Sequence, residues 1–532
     1  MNPDCEETIP GQLNTVDRLS DLPDFILHDI ISYLGTREAY RTCILSKRWA
    51  HVSGTNPIIE FHYYCKTENS STRYWPSKEV SARLLEYMDT RMQRYDKDKL
   101  RVRTLGLGFP NSNRVFGCDE ETELSSKFEE LSCTVDEWIQ IVVRNQVEKL
   151  DLNGPINYQL PDILLSAKSL KRLDCMNVKL PYYNKAINLA SLRTLVLFHV
   201  DVEEQLLNQI ISSCPLLRRL SVRNCAGFKP IVIPYCSQLK KLTLSYSLPE
   251  NGTIILETLG LTHFQFLGEY FDDVWPVMAK PGLLRNLRTF DIVGSGITDG
   301  ELGKLLPELA SLKTLRLTYC HFLRIVRISS NQLKKIYLNY CSTLLDVMID
   351  APSLTKFKYK GSFHPYRAIT ISSQASCVIS VHTTPKYLDT RGFFKLKKLM
   401  TGLRSCNALK ISITNYADEP VCDDIKFDEE ELGDVNFGPP RNITELKLGL
   451  NYWTRSSVSG FLNGIFWTCH PEIIFFRLCS EDPDLMIQLF TSELKDMVNC
   501  LKHPLKRVEF PDANCSNILK SKKVVLQSRL HW

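Results

Sequence analysis

Basic and aromatic side chains recur in this sequence between the apolar residues of a short repeated pattern. These positions are predicted to face outward, where the side chains could bind an anion. The candidates are Arg223, Arg316, Tyr337, Lys358 and Lys360. Guanidinium and ammonium groups pair with carboxylate or phosphate, so this set predicts a surface for an acidic or phosphorylated peptide. The alternative interpretation is a solvated strand face whose charges contact only water.

Arrangements of residues for catalysis or metal binding are not recognisable. The motifs GxxxxGK[ST], HExxH and GxSxG do not occur. The glycines of GSGITDG, from Gly294, lack the spacing of a dinucleotide loop, and the acidic run FDEEELGD is typical of a solvated loop. His28, His51 and His199 have no partner at ligand spacing, and the 18 cysteines form no CxxC pair. We expect no enzymatic activity, no metal and no cofactor.

The composition limits the classes of partner. The 532 residues include 65 Lys and Arg against 60 Asp and Glu, and the net charge of +5 does not favour nucleic acid or an anionic membrane as the main partner. No apolar run reaches the length of a membrane span, and the N-terminal segment lacks the apolar core of a signal peptide. We expect a cytoplasmic or nuclear protein with reduced cysteines and an unknown protein target.

Copies of the frame L-x-x-L-x-L would position the basic side chains. Nine clear copies run from VEKLDLNG at Val147 to LTKFKYKG at Leu354. Successive starts lie about 21 to 25 residues apart, with one gap of about two periods after Leu239. We expect LETLGLTHF, at Leu256, to lie in that gap and VRTLGLGF, at Val102, to be an earlier copy.

The frame also predicts the fold. The central L-x-L would be a strand that turns two side chains into a core and the alternate residues onto an open face. Stretches such as VDEWIQIVVRNQ and EEQLLNQIISSC have helical periodicity and would cover the other side. One coil cannot bury its apolar side alone, so coils stack. We predict an α/β fold, a curved leucine-rich-repeat solenoid over residues 61–384 with parallel strands inside and helices outside, and terminal repeats over 385–532.

The N-terminal residues have a different pattern. Residues 1–17 are polar, and we expect them to be disordered. Segment 18–60 predicts three short helices that carry large apolar residues at helical spacing. These residues are Leu22, Ile26, Leu27, Ile30, Leu34, Leu45 and Trp49. So short a segment cannot enclose this much apolar surface by itself, which predicts docking to a partner; the alternative is a first cap of the solenoid.

The stretch DRLSDLPDFILHDIISYLGTREAYRTCILSKRW, residues 17–49, resembles the F-box of plant F-box proteins. There a D-R-[IL]-S-x-L-P-x-x-[IL]-L start is followed by T-[KR]-x-A and by S-K-R-W. An F-box before leucine-rich repeats resembles the plant F-box/LRR group, whose C-terminus often carries an FBD module. LKRVEF, near the C-terminus, fits the FBD pattern only loosely.

The resemblance implies a substrate receptor of an SCF-type cullin-RING ubiquitin ligase that has no catalytic activity itself. The F-box of such proteins binds a Skp-family adaptor, which links it to the cullin, and the repeats hold the target. Carried over by position, the adaptor-binding surface would begin at Leu22 and Pro23. Its apolar ridge would be supplied by Ile26, Leu27, Ile30 and Leu34 and closed by Leu45 and Trp49.

One departure from the family pattern keeps rival functions open. Relatives continue S-K-R-W with a further apolar pair that ends in Trp, whereas Val52 is followed here by Ser53. A poorly packed last helix would favour an interaction scaffold whose F-box binds the adaptor weakly. A third possibility is a receptor in which a small molecule completes the target surface.

Overall fold

The structure, a computed structural model, describes residues 19, 21–34, 39, 41–62, 65–66, 73–74, 78–109, 121–154, 158–181, 186–226, 231–246, 254–268, 275, 277–279, 282–362, 368–383, 387–403, 406–413, 425–432, 438–450, 455–478, 487–495, 505–511 and 521–524. The predicted disorder of residues 1–17 lies outside them. The chain divides into two compact units, Met1–Phe228 and Lys229–Trp532, called unit 1 and unit 2 below. The predicted boundaries at residues 60 and 384 lie inside these units.

Unit 1 begins with a small helical module. Helix α1 is Asp24–Ser32, a 3₁₀ turn spans Thr42–Ile44, and α2 is Lys47–Gly54. The Ser46 hydroxyl caps α2 by accepting a hydrogen bond from the backbone N–H of Trp49, at 3.1 Å. The module has its own core of five buried side chains, Leu27, Ile31, Ala39, Trp49 and Val52.

The rest of unit 1 contains three further helices, α3 (Lys78–Lys97), α4 (Glu121–Arg144) and α5 (Glu204–Ser212), and a 3₁₀ turn at Asp162–Ser166. Its strands are β1 (Ile58–His62), β2 (Cys65–Lys66), β3 (Arg73–Tyr74), β4 (Thr104–Gly108), β5 (Lys149–Asn153), β6 (Arg172–Met176), β7 (Thr194–Phe198) and β8 (Arg219–Arg223). Strands β1, β4, β5, β6, β7 and β8 pair in this order as a parallel sheet. Strands β2 and β3 form an antiparallel pair.

Unit 2 contains helices α6 (Asp299–Leu305), α7 (Thr390–Thr401) and α8 (Arg455–Thr468), and residues 487–495 are also helical. Short 3₁₀ turns lie at Leu306–Glu308 and Glu430–Leu432. Its strands are β9 (Ile231–Ile233), β10 (Lys241–Tyr246), β11 (Ile254–Leu256), β12 (His263–Gly268), β13 (Val277–Ala279), β14 (Thr289–Val293), β15 (Thr314–Thr318), β16 (Ile325–Ser329), β17 (Lys335–Asn339), β18 (Asp346–Asp350), β19 (Lys356–Ser362), β20 (Ala368–Ile371), β21 (Ser376–Thr383), β22 (Cys406–Ile413), β23 (Arg441–Leu450), β24 (Cys469–Leu478), β25 (Arg507–Pro511) and β26 (Ser521–Val524).

The repeat strands of unit 2 form one parallel sheet. Its order is β10, β12, β14, β15, β17, β19, β21, β22, β23, β24 and β25, and β26 pairs antiparallel with β25. Along each strand, buried apolar residues alternate with outward residues, as Leu315 and Leu317 do on either side of Arg316. The predicted α/β fold with stacked parallel repeat strands is confirmed.

The second layer of unit 2 differs from the prediction of helices, because two small parallel sheets occupy part of it. They consist of β9, β11 and β13, and of β16, β18 and β20. The reason is visible in β16, where Val326 and Ile328 are buried between more exposed neighbours, a period of two that suits a strand. Repeats of about 21 residues also leave little chain for a helix.

The repeat within the predicted gap starts later than expected. Leu256 lies in β11, in the second layer, and not at the start of a repeat frame. The frame begins instead at Leu261, and its buried strand residues are Phe264 and Phe266. The longer stretch LETLGLTHFQF contains two overlapping matches to the frame, and the copy with aromatic residues at the core positions is the one that forms the sheet.

The residue that follows a repeat strand adopts a left-handed backbone at several turns. In unit 1 these residues are Asn177, His199 and Asn224, with φ of 57°, 51° and 49°, and in unit 2 they include Tyr319 and Tyr340, with φ of 54° and 52°. A left-handed backbone is tolerated by asparagine and strains a bulky side chain. The two tyrosines are therefore the unusual members of this set.

Asparagine and cysteine occupy the turns as the repeat predicts. The Asn177 side-chain amide donates a hydrogen bond to the Asn153 side-chain oxygen, at 2.7 Å, and Asn153 donates to the carbonyl of Phe109, at 3.0 Å. Cys225 and Cys320 are buried at the equivalent place. Burial raises the pKa of the Cys225 thiol to about 11, so this group packs as a neutral apolar residue.

Two candidate binding surfaces

The helical module of unit 1 exposes a set of large apolar side chains. Phe25 on α1 is 65% exposed, Ile44 in the 3₁₀ turn is 87% exposed, and Leu45 beside it is 63% exposed. Leu34, at the end of the first helical segment, is also exposed. Several large apolar residues that stay outside the core of so small a module are typical of a protein-binding surface.

The predicted adaptor-binding residues divide into two groups. Leu27 and Trp49 are buried in the module core. The other six are accessible, and Leu22 and Ile30 are partly buried against that core. The accessible six are Leu22, Pro23, Ile26, Ile30, Leu34 and Leu45.

Polar contacts hold the module together. The Arg48 guanidinium forms a salt bridge with Asp24, at 3.0 Å, and also donates to the carbonyl of Leu22. The ring Nε2 of His28 lies 3.1 Å from the carbonyl oxygen of Val52. These bonds join the start of α1 to α2, which fixes the exposed residues on a rigid frame.

The Val52-Ser53 departure does not disturb this packing. Val52 is fully buried in the module core. Ser53 is also buried, and its hydroxyl donates to the carbonyl of Ala39, at 3.3 Å. The last helix of the module is therefore packed and bonded without the apolar pair that is usual in the family.

Of the predicted target-binding residues, Arg223 lies in unit 1 and the other four lie in unit 2. The Arg223 guanidinium stacks over the ring of Phe198, at 4.9 Å. Arg316 lies over Tyr337, at 5.0 Å, and pairs with Asp291, at 3.7 Å. The charge of Arg316 is thus partly offset by a carboxylate on the neighbouring strand.

Lys358 and Lys360 belong to a larger basic surface, which we call the lysine face. It consists of Lys335 on β17, Lys356, Lys358 and Lys360 on β19, and Lys410 on β22. All five lie at positions that alternate with buried core residues, and the outward positions of β17, β19, β21 and β22 hold no carboxylate within the described residues. Five cations on strands whose described outward positions hold no carboxylate give this side of unit 2 a positive potential.

One end of the lysine face carries three rings, which we call the aromatic corner: Tyr319, Tyr340 and His382. The two tyrosine rings stack, with centroids 4.9 Å apart and planes inclined by 7°. The Tyr340 hydroxyl lies 3.5 Å from Nε2 of His382. Lys360 Nζ lies 4.8 Å from the centroid of the Tyr340 ring. Hydroxyl, imidazole and ammonium groups therefore meet at one place.

Sequence reasoning missed part of both surfaces. Phe25 and Ile44 lie off the helical stripe that the prediction followed, and their exposure depends on how the helices pack. Lys410 lies in LKISITNY, beyond the nine clear copies of the frame, and the pairing of β22 with β21 places it beside the lysines of the repeat strands. The signal for the aromatic corner was the Tyr that follows the strand in LRLTYC and IYLNYC, at the position where several other copies have Asn or Gly.

We expect His382 to make unit 2 sensitive to acid. Burial, and then the Lys360 and Lys410 ammonium groups, lower the pKa of His382, and the Tyr340 hydroxyl faces the same ring. The folded state then binds the proton less readily than the unfolded state. The stability that neutral His382 contributes is fully present above the unfolded pKa of about 6.5, and it is lost as the pH falls from there through the lower pKa of the folded state.

The measurement is a thermal unfolding scan of the wild type and of His382→Gln at about pH 7.5 and about pH 5.5. The unfolding midpoint of the wild type should fall more than that of the variant over this interval. Equal falls in both proteins would mean that His382 does not carry the acid sensitivity.

Comparison with known proteins identifies the class. A family model described as the F-box domain matches residues 19–60. The LRR repeats of the FBD-associated F-box protein At5g56370 match residues 135–273, and the LRR domain of At1g61320/AtMIF1 matches residues 274–422. The chain is thus an F-box protein with leucine-rich repeats, of the kind found in plants, which confirms the resemblance stated above.

Individual relatives are distant. The chain is 29% identical over 237 residues to the F-box/LRR-repeat protein At3g03360 of Arabidopsis thaliana, and 26% identical over 329 residues to the putative F-box/LRR-repeat protein At4g15060 of the same plant. The first match covers 43% of this chain and 41% of the relative, and the second covers 58% and 69%. The chain therefore spans about two fifths of the length of the first of these relatives. Among the described residues, no helix is both long and apolar enough to cross a membrane.

Proposed function

We propose that this chain is the substrate-recognition subunit of an SCF-type ubiquitin ligase. Its F-box would bind a Skp-family adaptor and, through it, the cullin-RING ligase, and its repeats would bind a protein target. The observation that carries the proposal is the set of exposed apolar residues on the rigid helical module that matches the F-box domain. We infer that the chain acts in the cytoplasm or nucleus.

In this proposal the adaptor contacts Leu22, Pro23, Ile26, Ile30, Leu34 and Leu45 together with Phe25 and Ile44. Such a surface suits a groove between partner helices, because contiguous large apolar side chains supply most of the binding energy of helix-in-groove interfaces. Leu27 and Trp49 would act from beneath by fixing the positions of α1 and α2. Val52 and Ser53 are buried, which argues against a weakened F-box. A weakened F-box is the premise of the alternative function, an interaction scaffold that binds the adaptor weakly.

The role of the repeats would be to bring the target close to the ubiquitin-loaded enzyme. Binding two proteins to one rigid frame raises the effective concentration of a target lysine near the transfer site, so the subunit needs no catalytic residue of its own. The lysine face of unit 2 is the surface that we assign to the target, and it includes Lys358 and Lys360. Arg316 and Tyr337 border it on β15 and β17, whereas Arg223 is not part of it.

The test is capture of the full chain by an immobilised Skp-family adaptor. We expect the wild type to be captured and Ile44→Asp to lose about tenfold or more in affinity, because a carboxylate would be buried in an apolar interface. Leu345→Asp is the matched control, since Leu345 is an exposed leucine of unit 2 and this variant should bind as the wild type does. No capture of the folded wild type would contradict the ligase function, and equal capture of Ile44→Asp would contradict the assigned surface.

A further inference from the structure

The aromatic corner combines several donors for a single anion. Lys360 and Lys410 lie in one row of the sheet, separated by Ser380 on β21, so their backbones are about 10 Å apart. His382 and the Tyr340 hydroxyl lie beside this row and are 3.5 Å from each other. An anion placed between the two lysines could accept hydrogen bonds from the ammonium groups and from whichever of the Tyr340 hydroxyl and the His382 imidazole does not donate within their own pair.

We propose that the aromatic corner, with Lys360 and Lys410, binds a phosphoryl group on an extended segment of the target protein. The proposal rests on the function proposed above, in which the repeats hold a target. A phosphoryl group fits this set because it carries a charge of about −1.5 to −2 and three acceptor oxygens. A single carboxylate has less charge for two cations and fewer acceptors for the neutral donors.

The backbone of the two tyrosines supports a role for their rings. Equivalent turns carry Asn177, His199, Asn224 and Gly294, and these residue types adopt the left-handed backbone more readily than tyrosine does. Tyr319 and Tyr340 have the same backbone with a bulky side chain, which is a strained arrangement. Strain of this kind is often found at binding sites, where the surrounding structure holds it in place. Here the stacked rings form a flat wall beside the cations.

The rest of the lysine face would bind residues next to the phosphoryl group. Lys335, Lys356 and Lys358 lie on the same two strands as Asn339 and Lys360, at intervals of two residues. A peptide lying along this surface would meet one of these lysines at each interval of two residues. Acidic residues beside the phosphorylated one would therefore add to the affinity. The small net charge of the chain, +5, argues against nucleic acid as the occupant.

The experiment uses the immobilised full chain and three degenerate peptide libraries, which have phosphothreonine, threonine or glutamate at one fixed central position. We expect recovery of the phosphothreonine library to exceed that of the other two by about tenfold or more. The double variant Lys360→Glu/Lys410→Glu should lose this excess. The control double variant Lys304→Glu/Lys426→Glu makes the same change of charge at two exposed lysines of unit 2 outside the lysine face and should retain it.

Other outcomes would overturn the proposal. Equal recovery of the three libraries would show that the corner does not recognise an anion, and equal recovery of the glutamate and phosphothreonine libraries would identify an acidic stretch as the ligand. Loss of the excess in both double variants would reveal a general charge effect. Since peptide capture needs no adaptor, a chain that binds the adaptor but no phosphothreonine peptide contradicts this inference and leaves the ligase function standing.

Tyr340→Phe tests the geometry separately from the charge. The variant keeps the ring and the net charge and removes the hydroxyl that faces His382. We expect recovery of the phosphothreonine library to fall about threefold or more, an effect that a merely structural ring would not produce. Unchanged recovery, with the unfolding midpoint also unchanged, would remove the hydroxyl from the site.

Discussion

Trp49→Ala should unfold the F-box while the repeats remain folded. Trp49 is 4% exposed and packs with Leu27, Ile31 and Val52 in the small core that the described residues of the module form. Removing a buried tryptophan side chain costs about 3–5 kcal/mol. A module of about 40 residues has little stability in reserve, so this loss would leave most molecules with an unfolded module.

Limited proteolysis of the full chain, combined with adaptor capture, measures this effect. In Trp49→Ala, cleavage within residues 21–55 should become fast and capture should be lost, whereas the thermal transition of unit 2 should not change. Tyr33→Ala is the control, because Tyr33 lies in the same module but is 90% exposed. A Trp49→Ala chain that resists the protease and binds the adaptor as the wild type does would show that the five-residue core does not stabilise the module.

Gly460→Ala in α8 should destabilise unit 2 by about 3 kcal/mol, the upper end of the usual cost of overpacking. A Cβ atom at this position would lie 1.9 Å from the carbonyl oxygen of Ile425, and a backbone oxygen cannot move aside as a flexible side chain can. Nearby, a Cβ at Gly464 would lie 2.3 Å from the ring of Phe393. The two glycines therefore allow α8 to approach its neighbours closely.

The sign of the change in stability shows whether the close approach of α8 to its neighbours or the helix propensity of alanine has the larger effect. Glycine to alanine within a helix normally stabilises a protein by about 0.5–1 kcal/mol. Gly303→Ala in α6 is the matched control in the same unit, since nothing lies within 4 Å of its added Cβ. The unfolding midpoint of unit 2 should fall for Gly460→Ala and rise for Gly303→Ala. A rise in both variants would refute the close packing of α8.

The repeat strands were predictable from the sequence because one period fixes both their spacing and their buried face. The frames at Leu312, Leu333 and Leu354 became β15, β17 and β19 with the expected residues in the core. The second layer was less predictable. The repeat frame does not specify which residue types occur in the second layer. Strands β16 and β18 form there because apolar residues alternate locally within short repeats.

The candidate sites were predictable only in part, because exposure and neighbourhood depend on packing. Leu27 and Trp49 share the helical spacing of the surface residues, and only the folded module separates core from surface. The sequence places Lys360 and Lys410 50 positions apart, and the parallel register brings them into one row. The identity of the target depends on residues of another protein and cannot be predicted from this sequence.

The alternation along each repeat strand has a consequence for how such a protein can change over generations. Inward residues such as Phe357 and Tyr359 are buried in the core, and outward residues such as Lys358 lie partly exposed on the face of the sheet. The two sets occupy different positions, so a substitution on the outward side leaves the core and the backbone hydrogen bonds intact. New binding preferences can therefore arise one strand at a time without passing through an unfolded intermediate. This independence suits a lineage whose members keep one scaffold and diverge in what they recognise.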